Sequence, residues 1–301
     1  MRVMSHQRFI SRRSLFLALG STCVASACAH RNANLQRDFA AAVAAIQAGI
    51  GGRVGVYVLD TQSQLELAFN AHERFAMCST FKLLLAAEVL QRVDAGTLAL
   101  DHQLPLRSAD LLPHAPVTSL HLAEGSMSVG DLCAAIVTVS DNPAANILLT
   151  AAGGPSALTQ FLRGIGDRTT RLDRMERELN TNLPGDPRDT TTPRAMARSM
   201  QKVLLGDVLS AHSRLQLIAW LRQSMTGLAR LRAGLPGEWQ AGDKTGTGAN
   251  GAVNDVMIAW PPGRSAVIGA VYFSESTQAT AALEQAHAEI GRLVASAIAR
   301  Q

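Results

Sequence analysis

Apolar residues recur at helical spacing through residues 34–51, in "FAAAVAAIQAGI", and predict an opening helix. "GRVGVYVLD" and "QLELAFN" then read as two strands joined by the turn-prone Asp60-Thr61-Gln62-Ser63. Residues 79–215 follow mostly helical periods, punctuated by Gly, Pro and Asn. Strand patterns return in "WQAGDKTGTG", "AVNDVMIAW" and "SAVIGAVYF", and a long helix is predicted from about Thr277. Strands at both chain ends with helices between them predict one sheet assembled from the two ends. A helical part is inserted in the middle, and a site belongs in the cleft between the two. No repeat, low-complexity tract or long linker divides the chain after its first residues.

Composition changes that picture little: 301 residues with 47% apolar and 17% charged content read as globular, with a full core. The charge is more informative. A pI near 9.2 suggests a polyanion partner until the charges are located. Arg2, Arg8, Arg12 and Arg13 fall in the first 27 residues, which hold no acidic residue, and without these four the formal charge drops from +4 to 0. The basic balance belongs to a leader, so no nucleic-acid partner is expected.

That leader, "SRRSLFLALGSTCVASACAH", places paired arginines before an apolar stretch, Leu15 to Ala25, too short to span a bilayer. It resembles a twin-arginine export signal, which implies delivery to the periplasm. Ala25-Ser26-Ala27 fits cleavage after Ala27, whereas Cys28 directly after it fits a lipidated cysteine. Both processings stay open, the second tying the protein to a membrane through its lipid. Cys23 and Cys28 lie in or beside the leader. Cys78 and Cys133, at unrelated spacing, form neither a disulfide framework nor a zinc pattern. The eight histidines show no HExxH-like spacing, so neither metal nor other cofactor is expected.

Four segments carry candidate chemistry. In "AMCSTFKLLLAAEVL", Ser79 stands at a predicted helix start whose core face is Phe81, Leu84, Leu85 and Val89. Free N–H groups there can stabilise an oxyanion, and Lys82, at i+3, shares the face of the hydroxyl. For Lys82 to accept a proton near neutral pH, burial or neighbouring charge must lower its pKa. Ser-x-x-Lys alone is weak, arising about once by chance in a chain this long. Ser199 and Lys202 repeat it inside "TPRAMARSMQKVLLG", where the pair is expected to face solvent from a helix interior.

"TVSDNPAAN" sets Ser140, Asp141 and Asn142 between two helices, with Pro143 suited to a first turn; it reads equally as a capped junction or as a hydroxyl and an amide aimed at a cleft. "DRMERELNTNLPGDPRDTTTP" is a Pro/Gly/Asp-rich loop in which Glu176 and Asn180 are spaced to hold one water. Arg174 and Asp189 are placed to close its base as an ion pair. "AGDKTGTGANG" offers Lys244, Thr245 and Thr247 for a carboxylate, and Gly246 for close backbone approach. Lys82 and Lys244 are two of only three lysines in the whole chain.

S-x-x-K, S-D-N, E-x-x-L-N and K-T-G in this order, over essentially the whole chain after the leader, resemble a class A serine β-lactamase. The resemblance implies an α+β fold of the β-lactamase/transpeptidase type, a five-stranded antiparallel sheet flanked by helices with an inserted all-α subdomain. The implied division is 1–27 export signal, 34–75 plus 216–301 a discontinuous α/β subdomain, and 76–215 the all-α subdomain. It further implies a monomer that hydrolyses small-molecule β-lactams, with Ser79 as nucleophile and the N–H groups of Ser79 and Thr247 as oxyanion hole.

In the same reading Lys82, or Glu176 through a water, takes the serine proton, and Ser140 passes a proton to the leaving nitrogen. Lys244, Thr245, Gly246, Thr247 and Arg230, from "TGLARLRAGLP", receive the substrate carboxylate. Asn142 holds the acylamide side chain, and Glu176 with Asn180 supplies the deacylating water. A penicillin-binding DD-peptidase or a non-hydrolytic β-lactam sensor stays open as an alternative, because both share serine, lysine and KTG but trap the acyl form. Three positions depart from the family pattern. Cys133 lacks a disulfide partner, whose place holds Ala86, and is expected to be a free thiol. Cys78 lacks the bridge some carbapenem-hydrolysing members have, since Gly248 stands at the partner position. His114, in "DLLPHAPV", replaces the usual aromatic wall of the cleft.

Overall fold

Along the first strand, Val54, Val56 and Val58 are buried on one side while Tyr57 and Leu59 are buried on the other. A strand covered on both faces needs a layer of helices on each side. The structure, a computed structural model, describes residues 12–301, with side chains from Arg31 onward. The export leader and the processing at Ala27 or Cys28 lie outside the residues so described.

In chain order the elements are α1 (Arg12–Ile50), β1 (Arg53–Asp60), β2 (Glu66–Phe69), β3 (Phe75–Ala76), α2 (Phe81–Asp94), β4 (Gln103–Pro105), β5 (Ser126–Ser128) and α3 (Val129–Thr138). There follow α4 (Asn142–Ala152), α5 (Pro155–Gly164), β6 (Thr190–Thr191), α6 (Pro193–Leu205), α7 (Ala211–Arg222), β7 (Gln240–Thr247), β8 (Val253–Trp260), β9 (Val267–Ser274) and α8 (Thr280–Ile298). The five long strands form one antiparallel sheet in the order β2-β1-β9-β8-β7, so both chain ends build it, as the strand pattern predicts.

Leu35, Phe39 and Val43 on α1, at helical spacing, pack with Leu283, Ile290 and Val294 of α8 against one sheet face. The other face meets the helical layer through Tyr57, Leu59, Ile258, Ile268 and Tyr272. β9 is buried at every position because both layers cover it. Phe81, Leu84, Leu85 and Val89 are buried as predicted. The burial of α2 runs wider, from Phe81 through Leu90 on all sides, because α2 is the central helix of its layer and no face is left for water.

Two short ribbons matter for the site. β3 pairs with β6 (Phe75 opposite Thr191), which ties the strand leading to Ser79 to the end of the Glu176 loop; β4 pairs with β5. Among the described residues no helix is long and apolar enough to cross a membrane, and no cluster of potential metal ligands occurs.

One expectation is corrected here. Ser199 does not face solvent: it is buried, and its hydroxyl donates to Asp167 Oδ2 at 2.8 Å. α6 packs this side inward, so only Lys202, which caps the Ile165 carbonyl, remains exposed. The decoy pair is therefore split between core and surface.

Candidate active site

Ser79 sits on a 3-10 turn, Cys78–Thr80, immediately before α2, rather than within the helix. The preceding Cys78 has φ 46°, a left-handed conformation that side chains seldom adopt. Several bonds hold the turn. Met77 N–H donates to the Asp189 carbonyl at 2.9 Å, and the Asn254 amide on β8 donates to the carbonyls of Ala76 and Met77 at 2.9 and 3.2 Å. β7 runs alongside: a Cβ on Gly246 would lie 2.7 Å from Met77 O and 3.1 Å from Ser79 N, so only glycine lets strand and turn meet.

Lys82 Nζ is fully buried and donates to Ser140 O at 2.8 Å, Asn142 Oδ1 at 2.6 Å and Glu176 Oε1 at 2.9 Å. The Asn142 amide donates to Pro113 O at 2.9 Å, which turns its oxygen toward the lysine. Three acceptors take the three ammonium protons, an arrangement that suits the cation. Burial pushes the Lys82 pKa down, and the Glu176 carboxylate opposes that shift. Ser79 Oγ itself is 3.5 Å from Glu176 Oε1.

The Glu176 side chain is fully buried, and its position is set by three contacts besides Lys82. Asn180 Nδ2 donates to Glu176 Oε2 at 2.6 Å. Asn146, one turn along α4 from Asn142, accepts from Glu176 N–H and donates to Glu176 O, both at 2.9 Å. The loop's base is closed by Asp189, which accepts from Arg174 Nε at 2.5 Å and from the N–H groups of Asp173 and Arg174. Asn180 Oδ1 is buried without a partner.

Ser140, with φ 64°, follows α3, and Asp141 caps α4 by accepting from Ala144 N–H. Asp141 also accepts from Val117 N–H, Thr118 N–H and the Thr118 hydroxyl, so it fixes the junction and does not face the cleft. Ser140 Oγ lies 3.4 Å from Lys82 Nζ and 3.1 Å from Lys244 Nζ, bridging the two cations. Burial, then the charge of Lys82, holds the Lys244 pKa well below its ordinary value.

Arg230 is buried and donates to Gly246 O at 3.1 Å, Asn254 O at 2.7 Å and Thr247 Oγ1 at 2.8 Å. His114, exposed and with φ 66°, makes a 2.8 Å bond to Val139 O. These groups enclose a cleft of about 280 Å³ lined by Ser79, Ser140, Asn180, Thr245, Thr247 and Arg230, with His114, Asn142, Thr226 and Gly246 also on its wall.

The twelve candidate site residues converge here: nine line the cleft, Lys244 lies behind it on Ser140 Oγ, Glu176 is buried against Ser79, and Lys82 is buried against Glu176. Three further residues escape sequence reasoning. Asn146 ends the quoted "TVSDNPAAN", and its i+4 spacing from Asn142 is the only signal for it. Thr226 accepts from Thr245 Oγ1 at 2.7 Å and has no sequence signal. Asn254 could be suspected only as a polar residue in an apolar strand. Cys78 and Cys133 are both free and buried, as expected for Cys133. Burial pushes the Cys78 thiol up to about 12, with the Glu176 charge adding to it.

Comparison with known proteins places this geometry. The pattern described as "Beta-lactamase enzyme family" matches residues 35–298. β-Lactamase L2 of Stenotrophomonas maltophilia is 51% identical over 218 residues, 72% of either chain. β-Lactamase CTX-M-8 of Citrobacter amalonaticus is 44% identical over 236 residues, covering 78% of this chain and 81% of the relative. The solved ancestral GNCA class A β-lactamase superposes with a TM-score of 0.85 at 52% identity, over 86% of this chain and 99% of its own. Similarity of this depth, extending through the sheet, the helical layer and the cleft, shows that the chain belongs to the class A β-lactamases.

Proposed function

We propose that the protein hydrolyses β-lactam antibiotics through an acyl-enzyme on Ser79 and so confers resistance to them. The Ser79 oxygen attacks the lactam carbonyl, the C–N bond breaks, and a serine ester forms. The serine proton passes either to Lys82, whose pKa burial lowers, or through a water to Glu176, whose Oε1 faces Ser79 Oγ at 3.5 Å; with Glu176 removed or displaced, the Lys82 route still forms the acyl-enzyme. Ser140, between Lys82 and Lys244, delivers a proton to the departing nitrogen. The N–H groups of Ser79 and Thr247 bind the oxyanion.

Lys244, Thr245, Thr247 and Arg230 receive the substrate carboxylate, and Gly246 leaves room for it. Asn142 faces the acylamide side chain and His114 walls the cleft. Water then adds to the ester, the acyl C–O bond breaks, and Ser79 regains its proton. The observation that carries this reading is the Glu176–Asn180 pair beside the nucleophile. One amide hydrogen orders the carboxylate, and the unpartnered Asn180 Oδ1 is left to accept from a water. A DD-peptidase or sensor has no need of such a pair.

The 34–75 plus 216–301 segment serves as the α/β subdomain and 76–215 as the all-α subdomain. The protein works as a periplasmic monomer, exported by the leader of residues 1–27 and either released by cleavage after Ala27 or anchored through Cys28. The test follows hydrolysis and intact mass of the parent and of Glu176→Ala with a penicillin and a cephalosporin. Turnover by the parent and a stable adduct on Ser79 in the variant are expected. A parent that stays acylated would replace this reading with the peptidase or sensor.

A further inference from the structure

Two carboxyl groups lie beside Lys244 in the sheet, where a pair of carboxylates is hard to keep. Asp243 on β7 and Asp255 on β8 are both fully buried. Asp255 stands opposite Thr245, and Asp243 is two residues from Thr245, so both side chains leave the same face at diagonal positions. Asp255 Oδ2 accepts from Leu231 N–H at 3.1 Å, but its Oδ1 has no partner, and Asp243 has no well-formed bond, only the Ser224 hydroxyl and Arg232 as donors nearby. Arg232 stands 3.6 Å from Asp243, beyond hydrogen-bonding distance.

Three orphaned oxygens on two buried acids call for a donor. A proton on Asp255 Oδ1 that donates to Asp243 satisfies two of the three at once and leaves a single negative charge. That charge is balanced by the cations around the pair: Lys244 on its own strand, and Arg230 and Arg232 from the segment packed over it. Glu284 reaches Arg230 Nε at 3.4 Å, and His287, on α8, bonds Val253 O at 3.0 Å and is held neutral by burial. Burial, then the charge of Asp243, keeps Asp255 well above the usual carboxylate range.

The pair also has a structural load. Leu231 N–H hangs on Asp255, and Gly227 lies flush on Asp243, where any Cβ would meet the carboxyl. Arg230 falls between these two anchors, with Nη2 on Thr247 Oγ1 in the cleft. We propose that Asp243 and Asp255 share one proton and act as positioning residues, pinning the Gly227–Arg232 segment so that Arg230 meets the substrate carboxylate.

This rests on the carboxylate-binding role proposed for Arg230, so the test separates the two. Steady-state kinetics with a carboxylate-bearing penicillin are compared for the parent, Asp255→Ala, Asp255→Asn, Arg230→Ala and the Asp255→Ala/Arg230→Ala double variant. Asp255→Ala should raise KM about tenfold with kcat unchanged, the size of a lost charge-assisted contact. Asp255→Asn, which keeps both a donor and an acceptor, should restore KM, and Asp255→Ala should add nothing once Arg230 is gone.

Infrared spectra of the parent at neutral pH should show a protonated-carboxyl band. Asp255→Asn removes it, and Asp243→Asn shifts it, because Asp255, still held protonated by burial, loses its charged acceptor. No band in the parent, or a band that Asp243→Asn leaves unshifted, overturns the shared proton. A full further loss in the double variant overturns the positioning role. An unchanged KM in Arg230→Ala refutes the carboxylate role and with it the positioning claim, while the infrared arms still decide the proton. Should Asp255→Ala fail to fold, Asp243→Ala takes its place in the same kinetic comparison, with the same expected rise in KM, and the infrared spectra decide the proton.

Discussion

Replacing Asn146 by alanine isolates what holds the proposed general base in place. The change removes two 2.9 Å bonds to the Glu176 backbone and leaves its N–H and C=O without protein partners. At about 1 kcal/mol net for each bond, and somewhat more where a group stays dry, the loss should total about 2–4 kcal/mol. For a domain of this size that lowers Tm by roughly 5–10 °C. The chemical effect should be more selective. Asn146 has no bond to Ser79 or Lys82, and the loop keeps its Arg174–Asp189 closure, so the acyl-enzyme still forms. Glu176 loses its backbone register, and a shift of about 1 Å in a reacting group costs on the order of 100-fold. Burst kinetics with a chromogenic cephalosporin, read beside intact mass and thermal unfolding, should show a fast first turnover, accumulating adduct and a lowered Tm. Reduced stability without any adduct would refute the positioning argument. A parent-like Tm would refute the energetic one.

Gly248→Ala would place a Cβ 2.6 Å from Cys78 Sγ and 2.7 Å from Asn180 O. Overpacking of about 1–3 kcal/mol and a lower kcat through displaced Asn180 are expected, and parent-like unfolding and turnover would contradict them. Burial lowers the His287 pKa from 6.5 to about 3, with Arg230 adding to it. A depressed folded pKa means this stability is complete above pH 6.5 and is lost as pH falls toward 3. The loss is on the order of 5 kcal/mol at about 1.4 kcal/mol per unit. Denaturant titrations of His287→Leu should therefore show a shallower loss of stability between those limits than the parent, and parallel curves would exclude the effect. In a chain beginning at Arg31, both Cys78 and Cys133 should react with a thiol reagent only after unfolding. Finding a disulfide in the unfolded chain would contradict the free-thiol reading.

Much of the fold is legible in the sequence because the signals are local. Short apolar, β-branched runs bounded by turn residues mark β1, β8 and β9, and "WQAGDKTGTG" marks β7, all within a residue or two; "SDN" with Pro143 marks the junction before α4. The four motifs identify the nucleophile, the cations and the water-holding pair for a similar reason. Each motif spans five residues or fewer, so its internal geometry follows from helix, strand or loop alone.

Tertiary structure decided the rest, because it depends on partners distant in sequence. Lys82 and Ser79 share a helical face, yet the lysine's protons go to Ser140, Asn142 and Glu176. Ser199 carries the same local spacing as Ser79 but is turned onto Asp167 by the packing of α6. Asn146, Thr226 and Asn254 become functional only when α4, the Arg230 segment and β8 are brought to the cleft. The Asp243–Asp255 pair depends on one register: a single-residue slip of β8 against β7 would turn Asp255 to the opposite face. The chain alone determines which residues can do the chemistry, since spacing within an element is a local property. Which of them do it, and in what charge state, is set by packing, since burial and long-range partners control protons.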